Sequence, residues 1–362
     1  MSEPQSILHV ISQLDGYGTA RQLRILARGQ KADGSQVRIA ALSASRTVRD
    51  TWEADGLSSS VLARRWRIDP FAAWRLSREL LADPPEVIHA WDLDAVNFVA
   101  AARLRSGSVP LLATLLTPPA GSWSVNQVDR LAVGSEALRR EYAARGIGAE
   151  QLAVVPPAVA LPQKPTLSRE CVLDNLGLAA DAQLIAVVGP LTRAKRFDEA
   201  IWCFELVRTL NERAALMIFG DGPDRQRLQR YTRLVSEPTA VKFLGYRDNL
   251  GDLLSHANVF WHPGEEPSIS SAVLESMAAG VPVVASDVQA LRDLIEHGRT
   301  GFLAPVGSRA GLARHTLRLL EDADLAANIG RAATVEVSKR FSATAMTAAY
   351  RDLYGQLLVK SG

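Results

Sequence analysis

Two stretches carry residues whose types and spacing suit the handling of a phosphorylated ligand. The first is GPLTRAKRFD, residues 189–198, where Arg193, Lys195 and Arg196 follow the apolar run QLIAVVG. Arginine forks onto phosphate oxygens and lysine meets them as a point charge. Gathered at a strand end with a helix amino terminus, such cations can stabilise a diphosphate leaving group. A solvated basic surface would have the same composition. The second stretch is WHPGEEPSISSAVLESMAAGVPVVAS, residues 261–286, which reads as loop, helix and buried strand. Its helix is predicted from near Ser270 to Ala279, with Gly280 as the stop. First-turn amides lack partners within a helix and carry partial positive charge, so Ser271, Ala272 and Val273 would offer N–H groups to a phosphate. Glu275, one turn further in, can accept hydrogen bonds from a pair of ribose hydroxyls, or cap its own helix.

A third stretch is DGYGTARQ, between the first predicted strand and helix. Gly16 and Gly18 permit a tight turn and close approach of backbone to a ligand. The full Gly-x-Gly-x-x-Gly is missing, because position 21 is Arg, and the second strand ends in ALSAS without an acid. Both absences argue against a nicotinamide dehydrogenase. His89 ends the strand EVIHAW and is either a site residue or a satisfied structural histidine. His262, in WHPGEE, neighbours the predicted ligand loop, and His9 reads as packing. Cys171 and Cys203 have no ligand-like neighbours, so neither a disulfide framework nor a zinc site is expected. RRWR at 64–67 has two readings, a solvated loop or a contact with anionic lipid.

These residues need elements to hold them, and the chain supplies alternating strand and helix signals almost from end to end. ILHVISQL, QVRIAALS, EVIHAW and VPLLATLL read as strands, separated by helical stretches such as ARQLRILARGQKA and FAAWRLSRELLA. PPAVALPQKPTLSRE then holds four prolines in fifteen residues and reads as an extended connection. The alternation resumes with QLIAVVG, FDEAIWCFELVRTL, ALMIFG, VKFLG, NVFWHP and VPVVAS, and closes with helical stretches near 310–320 and 343–358. The pattern predicts an α/β protein of two doubly wound, Rossmann-like domains. Their bounds are 1–160, a linker at 161–170, 171–342, and a last segment at 343–362. Ligands of such sheets bind outside the carboxyl ends of the strands, and two facing domains would place a cleft there.

The totals narrow the partners. Forty-one basic and 39 acidic residues leave a net charge of +2, which does not suit a dedicated nucleic-acid binder. No apolar run approaches the roughly 18 residues of a membrane span, and the first ten residues do not resemble a signal peptide. A cytoplasmic protein, with peripheral membrane contact as the further reading, is expected.

GPLTRAKRFDEAI, MIFGDGPDRQRL, VKFLGYRDNLGDLLSHANVFWHP and SAVLESMAAGVPVVASDVQALRDLIEHGRTGFLAPVGS resemble the glycosyltransferases of family 4, of the two-domain GT-B fold. SEALRREYAARGIGAEQLAVVPPAV, before the linker, is similar to the family as well. The resemblance implies a retaining transfer from a nucleotide sugar, bound by the second domain, to a glycan, lipid or small-molecule acceptor bound by the first. No metal or other cofactor is implied. Glu275 matches the family's ribose-binding glutamate and Lys195 its diphosphate-binding lysine. The turn after Gly245 would lie near the base, Gly18 would approach the donor, and the last helix would cross back to the first domain.

Several motif positions depart from the family. Its second glutamate, eight positions before Glu275, is Pro267 here, with Glu265 and Glu266 beside it. A one-residue shift would make Glu266 the catalytic carboxylate. The arginine after the strand glycine is Pro190, with Arg193 the nearest replacement, and a histidine close to the reacting centre is Leu116. His89 remains as a catalytic candidate on the cleft side. Tyr17 replaces the first glycine of the first loop. Each change removes a polar or flexible group, so the alternative is a catalytically degenerate relative serving as a binding or scaffold protein. An epimerase of the same fold is a third reading.

Overall fold

A computed structural model gives the fold and describes residues 5–15, 18–44, 46–64, 66, 69–106, 109–118, 128–159, 165–247, 249–265 and 269–361. The chain divides into two compact units, one of residues 1–158 with 343–362 and one of residues 159–342.

The first unit runs β1 (Ser6–Leu14), α1 (Gly18–Ala32), β2 (Gln36–Ala44), α2 (Arg46–Ala54), β3 (Ser59–Val61), α3 (Pro70–Ala82), β4 (Val87–Ala90), α4 (Leu93–Ser106), β5 (Leu111–Leu115), β6 (Arg130–Val133), α5 (Glu136–Ala144) and β7 (Leu152–Val154). The second runs α6 (Arg169–Leu176), β8 (Gln183–Val188), α7 (Phe197–Leu210), β9 (Ala214–Phe219), α8 (Arg225–Val235), β10 (Val241–Gly245), α9 (Leu250–Leu254), β11 (Val259–His262), α10 (Ser271–Ala278), β12 (Val283–Ser286), α11 (Gln289–Arg292), β13 (Phe302–Ala304), α12 (Arg309–Glu321) and α13 (Ala323–Arg340). The final helix, α14 (Ala343–Ser361), packs with the first unit against α1.

Both sheets are parallel. Their strand orders are β3-β2-β1-β4-β5-β6-β7 and β10-β9-β8-β11-β12-β13. Strands buried on both faces need apolar residues at every position, and β8 and β9 show why. Leu184, Ala186, Ala215 and Met217 join one core layer, while Ile185, Val187, Leu216 and Ile218 join the layer on the other face. The order of each sheet reverses once, between β1 and β4 and between β8 and β11. Ligands bind outside the strand ends at such switch points.

Three expectations are corrected. The linker does not run to 170: Ser168 accepts a bond from the Cys171 amide and starts α6 at Arg169. Two helices, α8 and α13, stand where the sequence suggested no helix. The buried stripe of α13 is only Ile329, Gly330, Ala333 and Val337, too small-sided to show as a strong apolar period. Gly330 is needed because a Cβ there would collide with the Gly280 carbonyl at the end of α10.

The His89 position is also corrected. His89 is wholly buried, and both its ring nitrogens are taken, Nδ1 by the Tyr354 hydroxyl at 2.7 Å and Nε2 by Thr114 Oγ1 at 2.7 Å. It belongs to a chain of bonds, and the direction of the first links follows from the Trp91 donor. The Trp91 indole can only donate, so His9 Nδ1 accepts at 3.0 Å and His9 Nε2 donates to Gln30 Oε1 at 2.8 Å. Gln30 Nε2 donates to Tyr354 at 3.1 Å, and the run continues through His89 and Thr114 to the Tyr350 hydroxyl, 2.9 Å from Thr114 Oγ1. The bond from Trp91 is possible only while the His9 imidazole is neutral. The chain ties α14 to β1, β4 and β5, which is why His89 is unavailable to a substrate.

Burial pushes the His9 imidazole down to about 4, against a weaker upward pull from its bond to Gln30. Burial, then the neighbouring His9, holds His89 well below its ordinary value. The unfolded chain takes up protons as pH falls through about 6.5, and the folded chain does not, so stability declines with acid. Between about pH 7 and about pH 5 the loss from His9 alone is expected to be about 2 kcal/mol, with His89 adding to it. Urea unfolding across that range checks the slope. Tyr354→Phe, which leaves Gln30 and His89 without their shared partner, is expected to cost about 1–3 kcal/mol.

Candidate functional site

The switch point of the second sheet lies between β8 and β11, and the loops that leave those strands contain most of the candidate residues. Gly189 follows β8 and Gly220 follows β9. A Cβ on Gly220 would collide with the Gly189 carbonyl, and one on Gly222 would come within 2.6 Å of the Leu191 carbonyl. Glycine at these positions lets the two loops touch backbone to backbone. They are joined by Gly189 N–H to Phe219 O at 3.0 Å, Leu191 N–H to Asp221 O at 2.9 Å and Asp224 N–H to Leu191 O at 3.0 Å. Gly220 N–H in turn donates to Gly245 O at 2.8 Å. Gly245 ends β10 with φ +69°, so it too holds a conformation that favours glycine.

That platform carries Lys195. Residues Arg193–Lys195 form one 3-10 turn, closed by Lys195 N–H on Thr192 O at 3.2 Å. A Cβ on Gly189 would meet Lys195 Cδ and Cε at 3.4 Å, so the lysine methylenes lie across that glycine. Lys195 is partly buried and Arg193 exposed. Arg196 has a different place from the one expected. It sits at φ +53° before α7, and its guanidinium pairs with Glu199 and with Glu265. Two carboxylates neutralise it, so Arg196 is withdrawn from the expected anion-binding cluster. It ties the loop after β8 to the loop after β11 instead. Glu265 is engaged in that pair. Glu266 and Pro267 lie outside the described residues, as do Gly16 and Tyr17.

Helix α10 begins as the sequence suggested. Ser270 is its N-cap and makes no side-chain capping bond, in contrast to Ser168 at α6 and Ser308 at α12. Ser271 and Ala272 form the first turn, and Glu275 follows one turn later, partly buried. Gly280, φ +72°, stops the helix and returns the chain to β12. His262, the last residue of β11, is buried. The Ser286 hydroxyl donates to the Pro263 carbonyl at 2.8 Å and fixes the start of the loop before α10. The second unit therefore brings Lys195, Arg193, Ser271, Ala272, Glu275 and Gly245 to the carboxyl edge of one sheet.

Gly18 is in the first unit, at the start of α1 with φ +35°, and a Cβ there would meet nothing within 4 Å. Leu116 follows β5 and lies against Gly134, an apolar side chain at the position where a polar one was sought. Among the described residues no three His, Cys, Asp or Glu side chains gather as metal ligands, and no helix is long and apolar enough to cross a membrane. Sequence reasoning missed the role of Gly189, Gly220 and Gly222. The available signal was a glycine directly after each of two adjacent strands.

The family described as Glycosyltransferase Family 4 matches residues 17–162, and that described as Glycosyl transferases group 1 matches residues 170–335. The two matches cover both units in order, and the chain belongs to the family 4 glycosyltransferases. N-acetyl-alpha-D-glucosaminyl L-malate synthase of Bacillus anthracis is 28% identical over 182 residues, 50% of this chain and 48% of that protein. The chain thus matches about half the length of that relative. Lipopolysaccharide core biosynthesis glycosyltransferase LpsD of Rhizobium meliloti (strain 1021) is 25% identical over 287 residues, 79% of this chain and 80% of that protein. The structure of Alr3699/HepE from Anabaena in complex with UDP-glucose has a TM-score of 0.84 at 19% identity, covering 97% of this chain and 100% of that one. The fold is GT-B.

The close approach of Gly189 and Gly220 yields a test. Gly220→Ala is expected to destabilise the protein by roughly 1–3 kcal/mol or more, since backbone must shift to admit the methyl. Gly251→Ala, whose added methyl meets nothing within 4 Å, is the control and should leave the urea midpoint unchanged or slightly higher. Equal losses in both variants would refute the backbone-contact account.

Proposed function

We propose that this chain transfers a sugar from a nucleotide-sugar donor to an acceptor hydroxyl, with retention at the anomeric carbon, the donor being held by the second unit. The observation that supports this most is that Lys195 and Glu275 lie on the segments that follow β8 and β11, the two strands of the switch point of one parallel sheet. In this reading Lys195 and the first-turn amides of α10 receive the diphosphate, and Glu275 accepts the two ribose hydroxyls. As the acceptor oxygen bonds to the anomeric carbon, the bond from that carbon to the diphosphate breaks. The leaving group gains charge, and preorganised cations and helix amides are aimed at that charge. Lys195, Arg193 and the helix amides supply the positive charge, so the transfer is proposed to need no metal ion. The acceptor, a glycan or a lipid-linked glycan, is assigned to the first unit.

Retention rests on the family resemblance, and the alpha configuration in the name of the Bacillus anthracis relative agrees with it. UDP-glucose, present in the Alr3699/HepE structure, is the first donor to try. A second reading has specific support. Pro190 offers no amide hydrogen and Leu116 no hydrogen bond, where the family carries polar groups. A binding protein that keeps the donor site but has lost turnover fits those two positions.

The test is thermal unfolding with UDP, GDP, ADP and the matching nucleotide sugars, followed by a turnover assay with any donor that binds. A ligand at about 100 times its dissociation constant stabilises the fold by about 2.7 kcal/mol, enough to raise the midpoint by several degrees. One base should give that shift, and both Glu275→Ala and Lys195→Ala should abolish it while the proteins stay folded. Nucleotide binding without release of nucleoside diphosphate from any donor would select the second reading. No shift with any nucleotide would overturn the site assignment.

A further inference from the structure

Helices α7 and α12 lie side by side on one face of the second sheet. Each leaves the carboxyl end of a strand of that parallel sheet, so both run in the same direction. Their starts are level. The Cys203 thiol donates to the Arg309 carbonyl at 3.4 Å, and the Arg309 guanidinium carbon stands 4.9 Å from the centre of the Trp202 ring. Equal rise along the two helices then brings Leu210 of α7 level with Leu317 of α12. The outer face they share is apolar where a solvated face would be polar. Leu210 is 73% exposed and Trp202 37%, with Leu206 and Leu317 half-buried between the helices and solvent.

The charges of α12 are placed in an order that its own helix does not reward. Ala310, Arg314, Leu317 and Glu321 form its outward stripe. Arg309 opens the helix and Glu321 closes it, each at the end whose partial charge it repeats. Arg314 and Glu321 are exposed, and neither has an ion-pair partner among the described residues. They are about 10 Å apart along the axis, too far to pair within the helix. Elsewhere in the unit charges pair with close neighbours, as Asp198 with Arg227, Asp287 with Arg292 and Glu336 with Arg340. Arg318 is turned aside to the Phe302 ring, 5.6 Å away. The stripe thus reads as a cation, an apolar centre and an anion.

We infer that this face of α7 and α12 binds a second copy of the chain, through a two-fold axis that crosses the helices at the level of Leu317 and Leu210. A two-fold contact sets a surface against itself, so the surface must carry opposite signs on either side of a centre that can meet its own copy. The stripe on α12 has that order. The operation lays α12 antiparallel to the partner's α12. Leu317 meets the partner's Leu317, Leu210 meets the partner's Leu210, and Arg314 meets the partner's Glu321 twice over, once on each side of the axis. An unrelated partner would ask for no such symmetry. The face is about 20 Å long, which is less than a standard interface of roughly 800 Å² per partner requires, so the dimer is a weak one that forms at micromolar concentrations. The inference does not rest on the transfer reaction, and nucleotide binding to the single chain is unaffected by its failure.

The experiment is sedimentation equilibrium of the full chain from about 1 to about 200 μM, the range of a weak association. The parent chain is expected to pass from one chain to two. L210S is expected to weaken the dimer by about tenfold or more, with unchanged circular dichroism. R314E and E321R each set like charges against one another at both symmetric contacts, and each is expected to weaken it by a similar factor. An equimolar mixture of R314E and E321R is expected to recover the dimer, because every contact across the axis then joins opposite signs. A folding defect in either variant would not give that recovery. A parent chain that stays single throughout would overturn the inference, as would undiminished association of R314E or a mixture that fails to recover. Association lost in W74S, a variant of an exposed tryptophan on α3, but kept in L210S would overturn it in favour of a contact on the first unit.

Discussion

The candidate donor site depends on the contact between the Gly189 carbonyl and the α-carbon of Gly220. Two strands that lie side by side in a parallel sheet end at the same edge, and their exit loops compete for the same space. A side chain at Gly220 would push the loops apart and carry the 190–196 turn away from the switch point. With glycine at each, backbone hydrogen bonds join the loops directly. The lysine that follows is then placed by backbone rather than by its own flexible stem. A cation held in this way loses less freedom when a phosphate arrives, and less of the binding energy goes into ordering it.

The same edge shows how charge is divided between structure and ligand. Arg196 is one residue from Lys195, yet its guanidinium is committed to Glu199 and Glu265. That pair links the loops after β8 and β11, the two that flank the switch point. An arginine held between two carboxylates is a poor partner for an incoming diphosphate, whereas it is well suited to keeping both loops in register. Glu265, two residues before Pro267, serves the loop pair.

The fold was legible in the sequence where apolar runs were long. β8 and β9 are apolar at nearly every position because both faces are covered, and the alternation of such runs with helices gave two wound sheets. The α13 helix was not legible. Its buried stripe is made of alanine and glycine with one isoleucine and one valine, and its fit comes from the Gly280 carbonyl rather than from apolar bulk. Near the candidate site, the start of α10 was readable because capping and first-turn chemistry are local. The commitment of Arg196 was not, since Glu265 is distant in sequence and only the sheet order brings the two loops together. His89 misled for a related reason. Its position at the end of a strand is that of a site residue, and the hydroxyls that occupy it come from β5 and from α14, more than two hundred residues later.

That misreading points to a division of labour among the polar groups of the first unit. A buried histidine is costly unless both nitrogens have partners, so a polar chain inside a core is tolerated only when every link is made. Here the links run from Trp91 through His9, Gln30, Tyr354, His89 and Thr114 to Tyr350, and two of them belong to the last helix. An apolar interface would let α14 slide by a turn against the sheet with little penalty. A linked chain of donors and acceptors admits one register, because any shift strands several buried groups at once. The imidazoles of β1 and β4 therefore fix where the chain re-enters its first unit, and their chemistry is consumed in doing so.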